Sequence, residues 1–86
     1  VTPDPEFAEA LEQLRVAEET ETAAWRKAVA ARARYEALRR GHQAAAASWA
    51  YFDFVTALHA VADPLHAVVS ASGRVLEAWS ERRSAS

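Results

Sequence analysis

After Pro5 the chain meets no further glycine or proline until Gly41, a run of about 36 residues counted from Pro5 to Arg40. As α-helix that run is a rod of roughly 54 Å. Its start carries the right chemistry. In Thr2-Pro3-Asp4-Pro5-Glu6, Asp4 suits the N-cap, where a carboxylate accepts from free amide hydrogens of the first turn. Pro5 suits the first helical position, and Glu6 and Glu9 follow at the end that the helix dipole favours for acids. Alanine supplies 22 of the 86 residues, and it has the highest helix propensity.

Two seven-residue series mark one face of this rod. One is Phe7, Leu14, Glu21, Ala28 and Tyr35; the other is Ala10, Ala17, Ala24, Ala31 and Leu38. Together they read as a seam for a second helix, and its alanines predict a close approach. An adjacent series holds Leu11, Glu18, Trp25, Arg32 and Arg39. Arg39 and Arg40 fit the negative end of the dipole, and Gly41 is expected to end the helix in the left-handed C′ conformation.

A second helix is expected from about residue 43 to 82, after a turn at 41–42. Its heptad stripe is read as Ala44, Ser48, Tyr51, Val55, Leu58, Ala62, then Leu65, Val69, Ser72, Leu76 and Trp79. Asp63-Pro64 interrupts it, because proline removes a backbone hydrogen bond and clashes with the preceding turn. The heptad phase is the same on both sides, so one kinked helix is preferred to two, although Asp63 could cap a new helix. Residues 84–86 are read as a frayed tail.

The expected fold is therefore all-α, a single domain over 1–86, with two long antiparallel arms joined by a short turn. A compact three-helix bundle broken at Asp63-Pro64 is the alternative. Folding about Gly41 sets Tyr35 near Ala47, Trp25 near Ala57, Leu14 near Val68 and Leu11 near Ala71. Trp49, Phe52, Phe54, Val61, Val68 and Val75 then lie off the seam and need cover. A chain this short is marginal alone, and it has no cysteine for disulfides. Self-association into a four-helix bundle, or docking of another helical protein, is the expected remedy. Trp25, Trp49 and Trp79 are read as core or interface anchors. Phe7, Leu11, Leu14, Tyr35, Tyr51, Phe52, Val55, Leu58, Leu65, Val69 and Leu76 complete the expected interface.

Charge is unevenly spread. Residues 1–21 carry seven acids and one base, whereas residues 22–52 carry six bases and only Glu36 and no other acid. The basic residues Arg26, Lys27, Arg32, Arg34, Arg39 and Arg40 are the candidates for nucleic-acid contact, set against a solvated helix end that complements the dipole. Helix-turn-helix spacing is absent. The start Val1-Thr2-Pro3-Asp4 is acidic rather than basic, the reverse of a secretory signal. The most apolar run, Ala44–Ala62, contains Asp53 and His59, so it is read as a buried helix rather than a membrane span. A cytoplasmic protein is expected.

One polar cluster could carry chemistry. His59, Asp63 and His66 lie at i, i+4 and i+7, on one helical face. The register brings Glu21 and Glu18 towards them. These are ligand types that helical bundles use for Zn, Fe or Mn; a hydrogen-bonded polar layer that fixes register is the preferred reading. No cofactor is expected. There is no nucleophile elbow, no phosphate loop and no cleft for paired carboxylates, so the chain is read as non-enzymatic. In size and hairpin plan it resembles the small WXG-type helical proteins of Gram-positive bacteria. Their Trp-x-Gly turn is replaced here by Arg40-Gly41-His42, and Trp49 precedes Ala50, so no property of that family carries over.

Overall fold

The computed structural model describes residues 4–85, leaving Val1, Thr2, Pro3 and Ser86 outside the description. Three helices follow in order: α1 (Pro5–Arg40), α2 (Ala44–His59) and α3 (Ala62–Ala85). Asp4 caps α1 as expected, its Oδ1 accepting from the Glu6 amide at 3.0 Å. Helix α1 packs along both α2 and α3, so the architecture is an antiparallel hairpin whose second arm is kinked. The rod measures 65 × 18 × 13 Å, with a radius of gyration of 19.4 Å. A compact globule of this length would have a radius near 12 Å, which excludes the three-helix bundle: α3 continues α2 instead of folding back. Ser84 and Ala85, expected as frayed tail, belong to α3.

The kink has a local cause. Pro64 has no N–H to give to the carbonyl of Ala60, and its ring crowds that carbonyl. The helix yields there: the Ala60 amide still bonds Thr56, the Val61 amide tightens onto Leu58, and Leu65 resumes α spacing onto Val61. Asp63 lies inside the first turn of α3, so it does not cap a new helix.

The turn departs from expectation by one residue. Gly41 has φ −81°, and His42 takes the left-handed conformation with φ 57°. The amide of His42 bonds Arg39 and that of Gln43 bonds Leu38, the paired pattern of a Schellman motif with His42 at C′. Helix α1 uses Gly41 as its last half-helical residue, so the position needing positive φ falls on histidine.

The seam of α1 is where the heptads place it. Ala10, Ala17 and Ala28 are buried, and Phe7, Leu14, Glu21, Ala24, Ala31, Tyr35 and Leu38 are half-buried. The seam of the second arm differs. Its shielded row is Ala47, Ala50, Phe54, Ala57, Val61, Pro64, Val68, Ala71, Val75 and Ala78, one residue earlier than the expected stripe throughout; beside it, Val55, Ser70 and Ser72 are half-buried. The heptad alternation passes unbroken through the kink. The expected stripe from Tyr51 to Trp79 faces solvent along most of its length, with Val69 63% and Leu76 65% exposed. The cause is fit. Alanine recurs at 10, 17, 24 and 31 on one arm and at 50, 57, 71 and 78 on the other, and two small-residue rows let the arms approach in a way that leucine and tryptophan rows would prevent.

The register also shifts. Arg40 and Ala44 flank the turn, and the cross-arm pairs centre at Gln43 or just beyond rather than at Gly41. Tyr35 stacks on Tyr51, ring centroids 5.3 Å apart, and Gln13 accepts from Arg74 at 3.0 Å.

A left-handed histidine costs stability that glycine avoids. His42→Gly is expected to stabilise the hairpin by about 0.5–1 kcal/mol in urea denaturation. Gly41→Ala should be neutral or slightly stabilising, because an added Cβ would meet only ordinary contacts of 3.5 Å and beyond. The reverse ranking would place the positive φ back on Gly41.

Candidate interaction face

The rows beside the two seams give the hairpin unlike sides. Trp25 and Val29 of α1 share a groove with Phe54 and Leu58 of α2, and Arg39 borders Tyr35 and Tyr51 nearer the turn. The Leu11–Trp25 row of α1 and the Tyr51–Trp79 rows of the second arm therefore lie on one side. Their large apolar side chains are exposed: Leu11, Trp25, Val29, Tyr51, Leu58, Leu65, Val69, Leu76 and Trp79. Val55, in the same rows, is half-buried.

The opposite side is mostly polar or small, with Val16 its exposed large apolar residue on α1. One groove there is lined by Glu6, Glu9, Gln13, Arg74, Glu77 and Glu81. Another, nearer the kink, is lined by Thr20, Ala23, Lys27, Ala57, Ala60 and Pro64.

Among the described residues the buried set consists of alanines and Val61, and no polar side chain is buried. Burying a methyl contributes about 0.8 kcal/mol, against 1.5–3 for a Leu, Val or Phe side chain. The larger part of the apolar resource thus sits outside the hairpin. None of the three tryptophans is in its core: Trp25 is 41% exposed, Trp49 74% and Trp79 49%. Trp49 and Phe52 point away from both the seam and the broad apolar face. At the open end, the Arg82 guanidinium lies 5.8 Å from the Phe7 ring centroid, within cation–π range.

Glu21, the one charged residue on the α1 seam, is half-buried and accepts from Trp25 Nε1 at 3.2 Å. Its polarity is satisfied on its own helix. The expected cluster around it is not assembled. His59, Asp63, His66 and Glu18 are all exposed, and among the described residues no three His, Cys, Asp or Glu come together as a metal shell. Rotation of the second seam by one residue turns His59 and His66 outward, away from α1. The two stand about 10.5 Å apart along the axis, with the kink between them.

The basic residues do not form one surface. Arg32 and Arg39 lie in the Trp25 row, Lys27 and Arg34 on the opposite flank of the seam, and Arg26 and Arg40 between them on the outer side. Arg32 reaches Glu36 at 4.0 Å. In the acidic half, Arg15 pairs with Glu12 at 2.6 Å and also with Glu19. Hydrogen bonding to Arg15 holds the Glu12 carboxyl below its usual range, and the same contact raises Arg15. These pairs are solvent-exposed and contribute little to stability individually.

In comparisons with known proteins, the chain matches no protein family, no curated protein and no solved structure.

Heptad spacing on the second arm fits two stripes one residue apart, and the expected one is the stripe that the structure turns outward. The signal that identifies the inner stripe is the matching seven-residue alanine series on the two arms. Substitutions should separate the two sides. Ala17→Leu or Ala71→Leu is expected to cost about 1–3 kcal/mol by overpacking. Val69→Ala and Leu76→Ala should change the unfolding free energy of the dilute chain by under about 0.5 kcal/mol. Urea titrations followed by circular dichroism would measure both.

Proposed function

We propose that this protein is a non-enzymatic assembly module, and that two hairpins associate through their apolar faces into a four-helix bundle. The observation that carries this reading is the inversion of burial: alanines inside, with the continuous rows of leucine, valine, tyrosine and tryptophan outside, concentrated on one side. A monomeric soluble protein rarely leaves a contiguous apolar patch of that extent uncovered. Helix layers that pair in this way make a core from the faces that each layer leaves exposed. Among the described residues, the absence of buried polar side chains and the shallowness of the grooves support a binding role over a catalytic one, because catalytic groups are set in concave, desolvated surroundings.

The second arm, Ala44–Ser84, is long and apolar enough to cross a membrane by length and composition, and only 11% of its most apolar window is buried in the hairpin. Asp53 argues for protein rather than lipid as its cover, since an aspartate near mid-bilayer costs roughly 2.5–3.5 kcal/mol. In this reading the assembly is cytoplasmic.

Light scattering over a range of concentrations tests the proposal. The expected mass is twice the 9.4 kDa of the chain, falling towards the monomer on dilution. Leu65→Lys together with Val69→Lys should give monomer at every concentration. Trp49→Ser, which lies off the face, should leave the dimer intact. A wild-type chain that stays monomeric at millimolar concentration would refute the assembly.

A further inference from the structure

We infer that the occupant of the apolar face is a second copy of this chain laid antiparallel, with a twofold axis crossing α1 at Trp25. This rests on the self-association proposed above and specifies its geometry. The second arm contributes no charge to the face: from Ser48 to Trp79 its two rows read Ser, Tyr, Val, Leu, Ala, Leu, Val, Ser, Leu and Trp. It is indifferent to orientation on charge grounds, so the charges on α1 choose.

Those charges are arranged as a complementary pattern about one point. In the Trp25 row, Glu18 lies seven residues before Trp25 and Arg32 seven after. Turning a second copy end for end about Trp25 sets each Glu18 opposite the other copy's Arg32. In the neighbouring row, Arg15 lies ten residues before and Glu36 eleven after, so the same operation sets Arg15 opposite Glu36. A parallel copy covering the same face would instead lay α1 over the other copy's uncharged second arm, so that these four charges would lose water without gaining a partner. Such a penalty excludes wrong arrangements more effectively than matched charge strengthens right ones. Arg39, at the end of the row, falls beside Leu11 of the other copy, where its methylene stem can lie along the leucine.

The operation is isologous, the commonest symmetry of soluble oligomers. Area suffices as well. The whole rod is 65 Å long and 18 Å wide, so one full side projects roughly 1,000 Å2, against the ~800 Å2 per partner of a standard stable interface.

Among the described residues there is no free cysteine, and the full sequence contains none, so introduced thiols report position without interference. Full-length Glu18→Cys and Arg32→Cys chains, alone and mixed, would be equilibrated in a glutathione redox buffer. Facing helices at ~8–10 Å axis separation bring opposed positions within disulfide reach. The expected result is a mixed 18–32 disulfide at least tenfold over either 18–18 or 32–32. A dimeric mass without the 18–32 disulfide, or dominance of 18–18 and 32–32, would overturn the antiparallel geometry while leaving self-association standing. No cross-link, with monomer mass in light scattering, would overturn both. So would a monomer that sediments with anionic phosphatidylserine vesicles, which would assign the face to lipid.

Charge exchange gives a second readout on exposed positions that do not endanger folding. Glu18→Arg should weaken dimerisation at least tenfold. Glu18→Arg with Arg32→Glu should restore it to within about twofold of wild type. Equal weakening by the single and double variants would overturn the pairing.

Discussion

Contact between alanine rows governs the rest of this structure. Each arm presents small side chains at every seventh position along most of its length, and the two rows meet. Where neither side supplies bulk, the arms come close, and large residues beside the seam are pushed to its flanks. The hairpin's thinness, its lack of any fully buried large side chain and its exposed apolar side all follow from this one fit. Alanine serves twice: its helix propensity favours the rods, and its size sets how they pack.

Two local irregularities are compatible with that seam because neither disturbs its phase. Pro64 sits at a seam position of the second arm, where its ring is a compact apolar group and its missing N–H affects only the turn before it. The kink bends the arm without rotating the faces that follow, so Val68, Ala71, Val75 and Ala78 continue the rows of Ala47, Ala50, Phe54 and Ala57. At the other end of the hairpin, the Schellman turn reverses the chain in three residues. It sets where the second arm begins, and the Tyr35–Tyr51 and Gln13–Arg74 pairs centre the register at Gln43 or just beyond.

Much of this was legible in the residues themselves. The limits of α1, its Asp4 cap and all ten of its seam positions follow from breaker residues, cap chemistry and heptad spacing. The second arm was legible as a helix and as a heptad but not in its rotation. Two stripes one residue apart both satisfy the alternation of three and four, and hydrophobic size favours the one that the structure turns outward. Single-arm reasoning cannot resolve this, because the choice depends on what the facing helix offers. The error propagated: the His59, Asp63 and His66 cluster was placed towards α1 only because the stripe beside it was. Gly41 likewise was given the left-handed position by residue type, whereas helix length put that conformation on His42.

The division between an inner alanine seam and an outer aromatic and aliphatic face bears on how such a surface can bind. Ordering long helices for an interface is costly when it happens on association. Here the close inner contact fixes the two arms side by side before any partner arrives, so the outer rows are presented on a scaffold of defined width. Rotating the second arm so that Tyr51, Leu58, Leu65 and Trp79 face α1 would instead turn out Phe54, Val61, Val68 and Val75, which are shielded here. Under the proposed self-association, the weaker contact is kept within the chain, the stronger one is reserved for the second copy, and the charges along α1 limit its orientation.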